Sequence, residues 1–407
     1  MEKLRIKRKD YRGTIKVVIT SGYRWSYFQW FLLGLYQLCE EGMIHIEFKI
    51  PIGSKILSKS NNKWILKFAD KLRRTFEHDN YNMSGYVIFL DGNKKYFTID
   101  SADAPYLFDS SRLEKSDVYF KMQCPIDLDN EGFSLTNDVI IPWLDHSHVD
   151  SKIKELTRRG ERKKCWNFEK NKEKIKPLMV GPRALSEKGF SYQKLQEGYD
   201  NYIKNKKAAK NKYIMCYFGN AKGPSLEKNI KSPDFDWEAD ILTYYGKKVN
   251  HPNEKRAIVS DYIAKLPNCD ARIISRGNAD TGAEQQDRSR IIPIKEFCAF
   301  ISDFQYNVNV SGYRRSIPNR FIESFLVGTK IITDKLAVKW YLPFEKTEVV
   351  ETVEMGYLPL DKIDWKKFEN DISLLSENDN SKTIKNFENK WSPLIVAKYI
   401  LETIKQS

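Results

Sequence analysis

Two periods alternate along this chain. Short stretches with an apolar residue at every second position predict strands, and longer stretches with apolar residues three and four apart predict helices. The first unit runs from Thr14–Ile–Lys–Val–Val–Ile–Thr20 through Ser21–Gly22 into Trp25–Cys39, where Phe28, Phe31, Leu32, Leu35 and Leu38 share one helical face. Strands are expected again at Ile44–Ile50, Gly85–Leu90, Lys95–Ile99, Ser116–Lys121 and Asp138–Pro142, with Asp91–Gly92 turning the chain between the third and fourth. Beyond Phe190 the order is helix Tyr192–Ile203, strand Tyr213–Phe218, helix Glu254–Leu266, strand Asp270–Ser275 and helix Ile294–Ile301. Further on, Val349–Val353 reads as a strand, and Trp365–Leu375 and Trp391–Ile404 read as helices. Such alternation predicts an α/β fold built on parallel sheets, with a Rossmann-like opening.

One stretch combines this pattern with polar residues that suggest chemistry. In Phe304–Asp334, Tyr306, Val308 and Val310 alternate with Asn307 and Asn309, and Ser311–Gly312 ends the strand. A loop with Arg314 and Arg315 follows, then Pro318 at a first helical turn and a helix to about Val327. Gly328 is expected as a left-handed cap, and Lys330–Asp334 as the next strand. A loop that leaves a strand and feeds a helix N-terminus favours anions, and guanidinium groups from Arg314, Arg315 and Arg320 suit phosphate. Phe321, Ile322, Phe325 and Leu326 form the apolar stripe, while Arg320 and Glu323, three apart, share another face. That pair reads either as an ordinary surface ion pair or as a phosphate and ribose clamp.

The run S-x-P-N-R-F-I-E-S-F-L-V-G-T-K-I-I resembles the donor-site segment of GT-B glycosyltransferases, most closely the exostosin-like pattern, with a related similarity to the CAP10 / protein O-glucosyltransferase group. The resemblance covers roughly residues 303–344 and implies that Arg320 binds phosphate and Glu323 binds ribose. It also implies two Rossmann-like domains, with the last helix crossing back to the first. Lys330 stands where that pattern has proline. Arg315 stands where a wider E-x7-E pattern has its first acid, which points away from a retaining enzyme.

Composition narrows the reading further. At 407 residues the chain suits two domains, here 1–185 and 186–390, with 391–407 packing back on the first. Six widely scattered cysteines form neither a zinc motif nor a disulfide framework, and no metal or cofactor is expected. Residues 1–10 lack the apolar core of a signal peptide, and no segment has the length of a membrane span, so a cytoplasmic protein is expected. The net charge is +14, with basic runs at 3–9, 158–164 and 204–212. Such runs are solvated faces or attract anionic membrane or a lipid-linked acceptor at its inner face. No nucleic-acid-binding module is recognised.

Candidate residues gather where predicted strands end. Tyr23 and Trp25 follow the first strand and suit acceptor stacking or simple packing. Asp100 and Asp103 follow another strand, as a general base (Asp103 preferred) or as helix caps. Gly219 and Lys222 follow Tyr213–Phe218, and Arg276 follows Asp270–Ser275; the resemblance implies that these residues, with Ser311 and Gly312, face the donor phosphates. Asp145, His146 and His148 are lesser candidates without a third metal ligand nearby. The expectation is an inverting glycosyltransferase that moves a sugar from a nucleotide-sugar to a glycan or lipid-linked acceptor in bacterial surface polysaccharide assembly. The alternatives are a non-catalytic nucleotide- or glycan-binding protein of the same fold, or a basic nucleic-acid-binding protein.

Overall fold

The computed structural model describes residues 14–22, 25–49, 81–102, 105, 108–126, 128–129, 168–182, 185–186, 189–218, 252–273, 275–277, 284–286, 292, 294–311, 316–336, 338–342, 349–353, 355, 364–375 and 380–407. Its strands are β1 (Ile15–Ser21), β2 (Ile44–Phe48), β3 (Asn82–Ile88), β4 (Lys94–Asp100), β5 (Val118–Lys121), β6 (Cys124–Pro125), β7 (Ile175–Pro177) and β8 (Lys212–Phe218). They continue with β9 (Asp270–Ile273), β10 (Ser275–Gly277), β11 (Glu284–Gln286), β12 (Phe304–Asn309), β13 (Lys330–Thr333), β14 (Val338–Lys339) and β15 (Val350–Thr352). The helices are α1 (Gln29–Glu40), α2 (Ser110–Lys115), α3 (Phe168–Asn171), α4 (Tyr192–Ile203) and α5 (Pro252–Ile263). After them come α6 (Ile294–Ile301), α7 (Arg320–Leu326), α8 (Trp365–Ser373), α9 (Ser381–Lys390) and α10 (Pro393–Gln406). The strand expected at 138–142 lies outside the described residues.

The chain is a mixed α/β protein. Five strands, in the order β15-β13-β12-β8-β9, form a wholly parallel sheet. Helices cover both its faces: Val259 and Ile263 of α5 and Phe368 and Ile372 of α8 pack with Cys216, Tyr306 and Val308. Phe297 of α6 and Phe321 of α7 pack with Met215, Phe304 and Ile331 opposite. The alternation Tyr306–Asn307–Val308–Asn309 therefore separates two buried faces, which is the ordinary condition of a parallel sheet.

The other large sheet corrects an expectation. Its order is β2-β1-β3-β4-β5-β7, and β3 runs antiparallel to both β1 and β4. The cause is local. The turn after β3 closes with Gly92 N–H donating to Phe89 O, and Gly92 at φ +82° reverses the chain directly. A parallel neighbour would have needed a crossover connection.

Helix α10 lies across α1 and reaches β4. Gly34 makes this possible: a Cβ there would run into the carbonyl oxygen of Pro393 and come within 2.9 Å of Ala397 Cβ. Trp30 Nε1 donates to Trp391 O at 3.2 Å. Trp391 stacks on Phe325 and meets Trp340 edge-on, so one buried cluster joins α1, α7 and α10. Gln123 pairs with Ile317 through both its amide groups, at 2.8 and 3.0 Å, and β6 pairs with β14 beside it. These contacts connect the two sheets' surroundings directly.

Gly328 has the expected left-handed backbone, φ +81°, just past the last turn of α7. Lys210 closes this region. Its Nζ donates to Ser302 O and Val327 O at 2.9 and 2.7 Å, the trailing carbonyls of α6 and α7. Burial and then the charge of Lys207 push Lys210 down to about 7, with Asp303 pulling the other way.

Two outcomes follow from these contacts. Gly34→Ala gains ~1 kcal/mol of helix propensity, yet a clash with backbone carbonyl costs roughly 1–3 kcal/mol, so its thermal midpoint by circular dichroism falls. Lys210 titrates in the ordinary lysine range when unfolded, so between about pH 7 and 10.5 the unfolded state holds the extra proton. Its contribution to stability therefore rises with pH across that window, and the melting temperature of Lys210→Met gains less on raising the pH than that of the native chain.

Candidate functional site

Strands β8, β12 and β13 finish side by side, and polar side chains collect at this carboxyl edge of the parallel sheet. Asp334 follows β13 directly. Its Oδ1 accepts from Ser311 N at 3.0 Å and its Oδ2 from Ser311 Oγ at 2.8 Å. Thr333 Oγ1 donates to the same carboxylate at 3.3 Å, and Asn309 Nδ2 donates to Thr333 Oγ1 at 2.9 Å. A side chain thus completes the ladder where backbone pairing stops at Asn309 and Thr333. Ser311, expected at the donor, has both its N–H and its hydroxyl committed to Asp334. Its role here is to hold the strand end.

Two guanidinium groups flank the last residue of β8. Arg256, on α5, lies 5.9 Å from the Phe218 ring centroid and donates through Nε to Val310 O at 3.3 Å. Arg320, the first residue of α7, lies 5.6 Å from the same ring and donates through Nη1 to Tyr217 O at 3.5 Å. Burial lowers the affinity of Arg256 for its proton, and the nearby charge of Asp334 opposes this. Neither arginine is fully buried, whereas Phe218 is. The arrangement brings two arginines close to one buried aromatic ring, with the Asp334 carboxylate as a counter-charge to Arg256. Arg320 is held from behind: Asn307 Nδ2 donates to Ser324 Oγ at 2.9 Å, and that hydroxyl donates to Arg320 O at 2.7 Å.

Glu323 differs from its expected setting. Every residue from Phe321 to Leu326 is buried, and Glu323 is only 1% exposed. The reason is that α4, α6, α9 and β13 all press on this short helix, so no polar face is left to solvent. Arg320 and Glu323 are three apart on α7, but Arg320 is partly exposed whereas Glu323 is buried. Of the remaining expected donor residues, Gly219, Lys222, Gly312 and Arg314, with Arg315 beside them, lie outside the described residues. Arg276 belongs to β10, and its side chain lies outside them as well.

In the first sheet Asp100 is a structural anchor rather than an accessible base. Its Oδ2 accepts from Lys121 Nζ at 2.8 Å and from Tyr119 OH at 2.7 Å, and its Oδ1 from Ala102 N at 2.7 Å. Lys121 Nζ also donates to Ala102 O at 3.2 Å, and both charged residues are buried. Burial, then the Asp100 carboxylate, pushes the Tyr119 phenol well above its ordinary range. Backbone on both sides of Ala102 is therefore pinned. Asp103, Tyr23, Asp145, His146 and His148 lie outside the described residues. Trp25 forms a single 3-10 turn whose ring stacks on Phe190 at 4.5 Å and meets Phe48 edge-on, so packing occupies it.

Sequence reasoning singled out neither Arg256 nor Arg112. Arg256 lay unremarked in the expected helix 254–266, although a helix that follows a strand starts at that strand's carboxyl edge and its opening residues face that edge. Arg112 donates to Ser21 Oγ at 3.1 Å and Ser84 Oγ at 2.5 Å and pairs with Asp109 at 3.2 Å. Nothing in its spacing marks it. Among the described residues no cluster of three metal-ligating side chains occurs. No protein-family model matches the chain, and no curated protein is significantly similar to it.

Removing one partner of the Asp100–Lys121 pair strands a buried charge. Lys121→Met is expected to lose about 3–5 kcal/mol in denaturant unfolding. Combining it with Asp100→Asn recovers part of that loss, because the isolated charge is gone.

Proposed function

We propose that the chain is a glycosyltransferase of the GT-B type that holds a nucleotide-activated sugar at the carboxyl edge of the parallel sheet. The observation that carries the reading is the pair of guanidinium groups, Arg256 and Arg320, against Phe218. Open α/β sheets bind ligands outside the carboxyl ends of their strands. Paired guanidinium groups at such an edge suit a diphosphate, which presents two anionic centres. The resemblance of the α7 segment to exostosin-like enzymes points the same way for Arg320.

In this reading the two arginines stabilise the leaving diphosphate as its negative charge develops. An acceptor hydroxyl attacks the anomeric carbon, the bond from that carbon to the diphosphate oxygen breaks, and the diphosphate departs with the bonding electrons. The hydroxyl proton passes to a carboxylate, for which Asp103 is the candidate. Asp103 is bonded directly to Ala102, whose carbonyl Lys121 holds. Glu323, buried behind Arg320, fits support of the helix better than open contact with a ribose. The acceptor is a glycan or a lipid-linked sugar, and the setting is assembly of a surface polysaccharide.

Calorimetry with uridine, guanosine and adenosine diphosphates tests the binding half. One of them is expected to bind, and Arg256→Gln and Arg320→Gln each weaken it by about 1.5–3 kcal/mol, between roughly 10-fold and 150-fold. Unchanged affinity in both variants removes the site. Asp103→Asn is expected to keep that affinity while transfer drops by about 10² to 10⁴. Nucleotide binding with no transfer to any acceptor would favour a non-catalytic binding protein of this fold.

A further inference from the structure

A cleft of about 510 Å³ opens where the end of α1, one face of α4 and the start of α10 meet. That volume is in the range of small-ligand sites. Glu41 stands three residues before β2, so the cleft lies toward the end of the first sheet where β1 and β2 begin, away from its carboxyl edge. Tyr192 and Tyr199 line it. Seven residues apart on α4, they share one helical face about 10 Å from each other. An aromatic ring of α1 backs each of them: Tyr36 lies 6.0 Å from Tyr192 and Trp30 lies 5.6 Å from Tyr199, between centroids. Gln37 Nε2 donates to Gln196 Oε1 at 3.2 Å, and Gln196 Nε2 donates to Asp200 Oδ1 at 2.8 Å, which ties α1 to α4.

The polar lining mixes acceptors with donors. Glu40 and Glu41 end α1, whose last turn holds no basic residue. The start of α10 supplies the opposite sign: Ser392 makes no side-chain cap bond, and the leading N–H groups have no acceptor within the helix. Burial, then the charges of Glu40 and Asp200, raises the Tyr192 phenol above its ordinary range. Burial, then Glu388 and Asp200, pushes Tyr199 up to about 12. Both phenols therefore keep their protons at neutral pH and can donate. Among the described residues that line the cleft none is lysine or arginine, and Glu388 behind it is paired with Lys206. An anionic ligand would meet two carboxylates here, and a simple cation would leave the phenols and the helix start unused. A ligand with apolar faces and a rim of hydroxyls, each able to give and to accept a hydrogen bond, uses every one of these groups.

We propose that this cleft binds a neutral, extended glycan chain, with sugar rings against Tyr192 and Tyr199 and their hydroxyls shared between Glu40, Glu41 and the start of α10. The tyrosines offer an apolar body to the flat face of a sugar and a polar tip to its rim. Their separation along a straight helix suits successive units of an extended chain better than one isolated ring. In the proposed transferase this second site would hold a growing glycan away from the reacting hydroxyl. That role rests on the transferase reading; the binding itself does not.

The test is calorimetry of the full chain with cellohexaose and chitohexaose, both neutral and extended, and with hexagalacturonic acid as an anionic chain of the same length. At least one neutral hexamer is expected to bind, and the anionic one is not. Tyr192→Ala weakens binding by about fivefold or more. Glu40→Gln with Glu41→Gln weakens it by about tenfold, since each bond loses its charge assistance. Both glutamates are exposed at a helix end where acids are unfavourable, so an undiminished melting temperature of the double variant is the control for folding. Glycan binding without nucleoside diphosphate binding supports this inference and removes the transferase reading. Nucleotide binding without glycan binding does the reverse. No binding of either neutral hexamer, equal binding of hexagalacturonic acid, displacement of the glycan by spermidine, or wild-type affinity in both variants overturns the proposal.

Discussion

The close passage of α10 over α1 is the constraint on which the rest of the fold depends. Gly34 lets backbone meet backbone there, and Trp30 and Trp391 seal the crossing with a hydrogen bond and buried ring surface. From that point the packing spreads both ways. Trp391 reaches Phe325 of α7 and Trp340, while Tyr399 of α10 meets Phe120 of β5 and donates to Pro177 O. Interiors this dense transmit small displacements instead of absorbing them. The position of α7, and hence of Arg320, is thus fixed partly by the last helix of the chain.

The two sheets use buried polar groups in the same way at their carboxyl edges. In the parallel sheet, Asp334 gathers Ser311 and Thr333; in the mixed sheet, Asp100 gathers Lys121, Tyr119 and Ala102 N. Each carboxylate ends a strand and fixes the first residues of the loop that leaves it. A satisfied buried network of this kind is rigid, and it is costly to disturb at any one member.

Much of this was legible in the sequence, and what was not has a physical reason. Most of the described strands and helices followed from period, although β7, α2 and α9 did not, and Gly328 followed from the need for positive φ where a helix stops and a strand begins within a few residues. The direction of β3 was implicit in Asp91–Gly92, but a turn residue specifies a reversal without saying which sheet the strands will share. Burial of Asn307, Asn309 and Glu323 was invisible because polarity predicts exposure, and only packing from several sides overrides it. Asp100 read as a possible base because its partners, Tyr119 and Lys121, are neighbours through strand pairing and not through sequence. Arg256 needed the same tertiary information: its distance to Phe218 depends on how α5 rests on the sheet.

The reach of the α1–α10 contact also sets the order of events as the protein is made. Trp30 and Trp391 are 361 residues apart in the chain, and Lys95 and Ser407 are 312 apart. Synthesis proceeds at about 5–20 residues per second, so the ribosome spends tens of seconds between making the two sides of the crossing. Throughout that interval the apolar surface of α1 that α10 will cover has no native partner. A chaperone that recognises exposed apolar helix surface therefore has its window on the nascent chain here, and the window closes only when α10 leaves the exit tunnel.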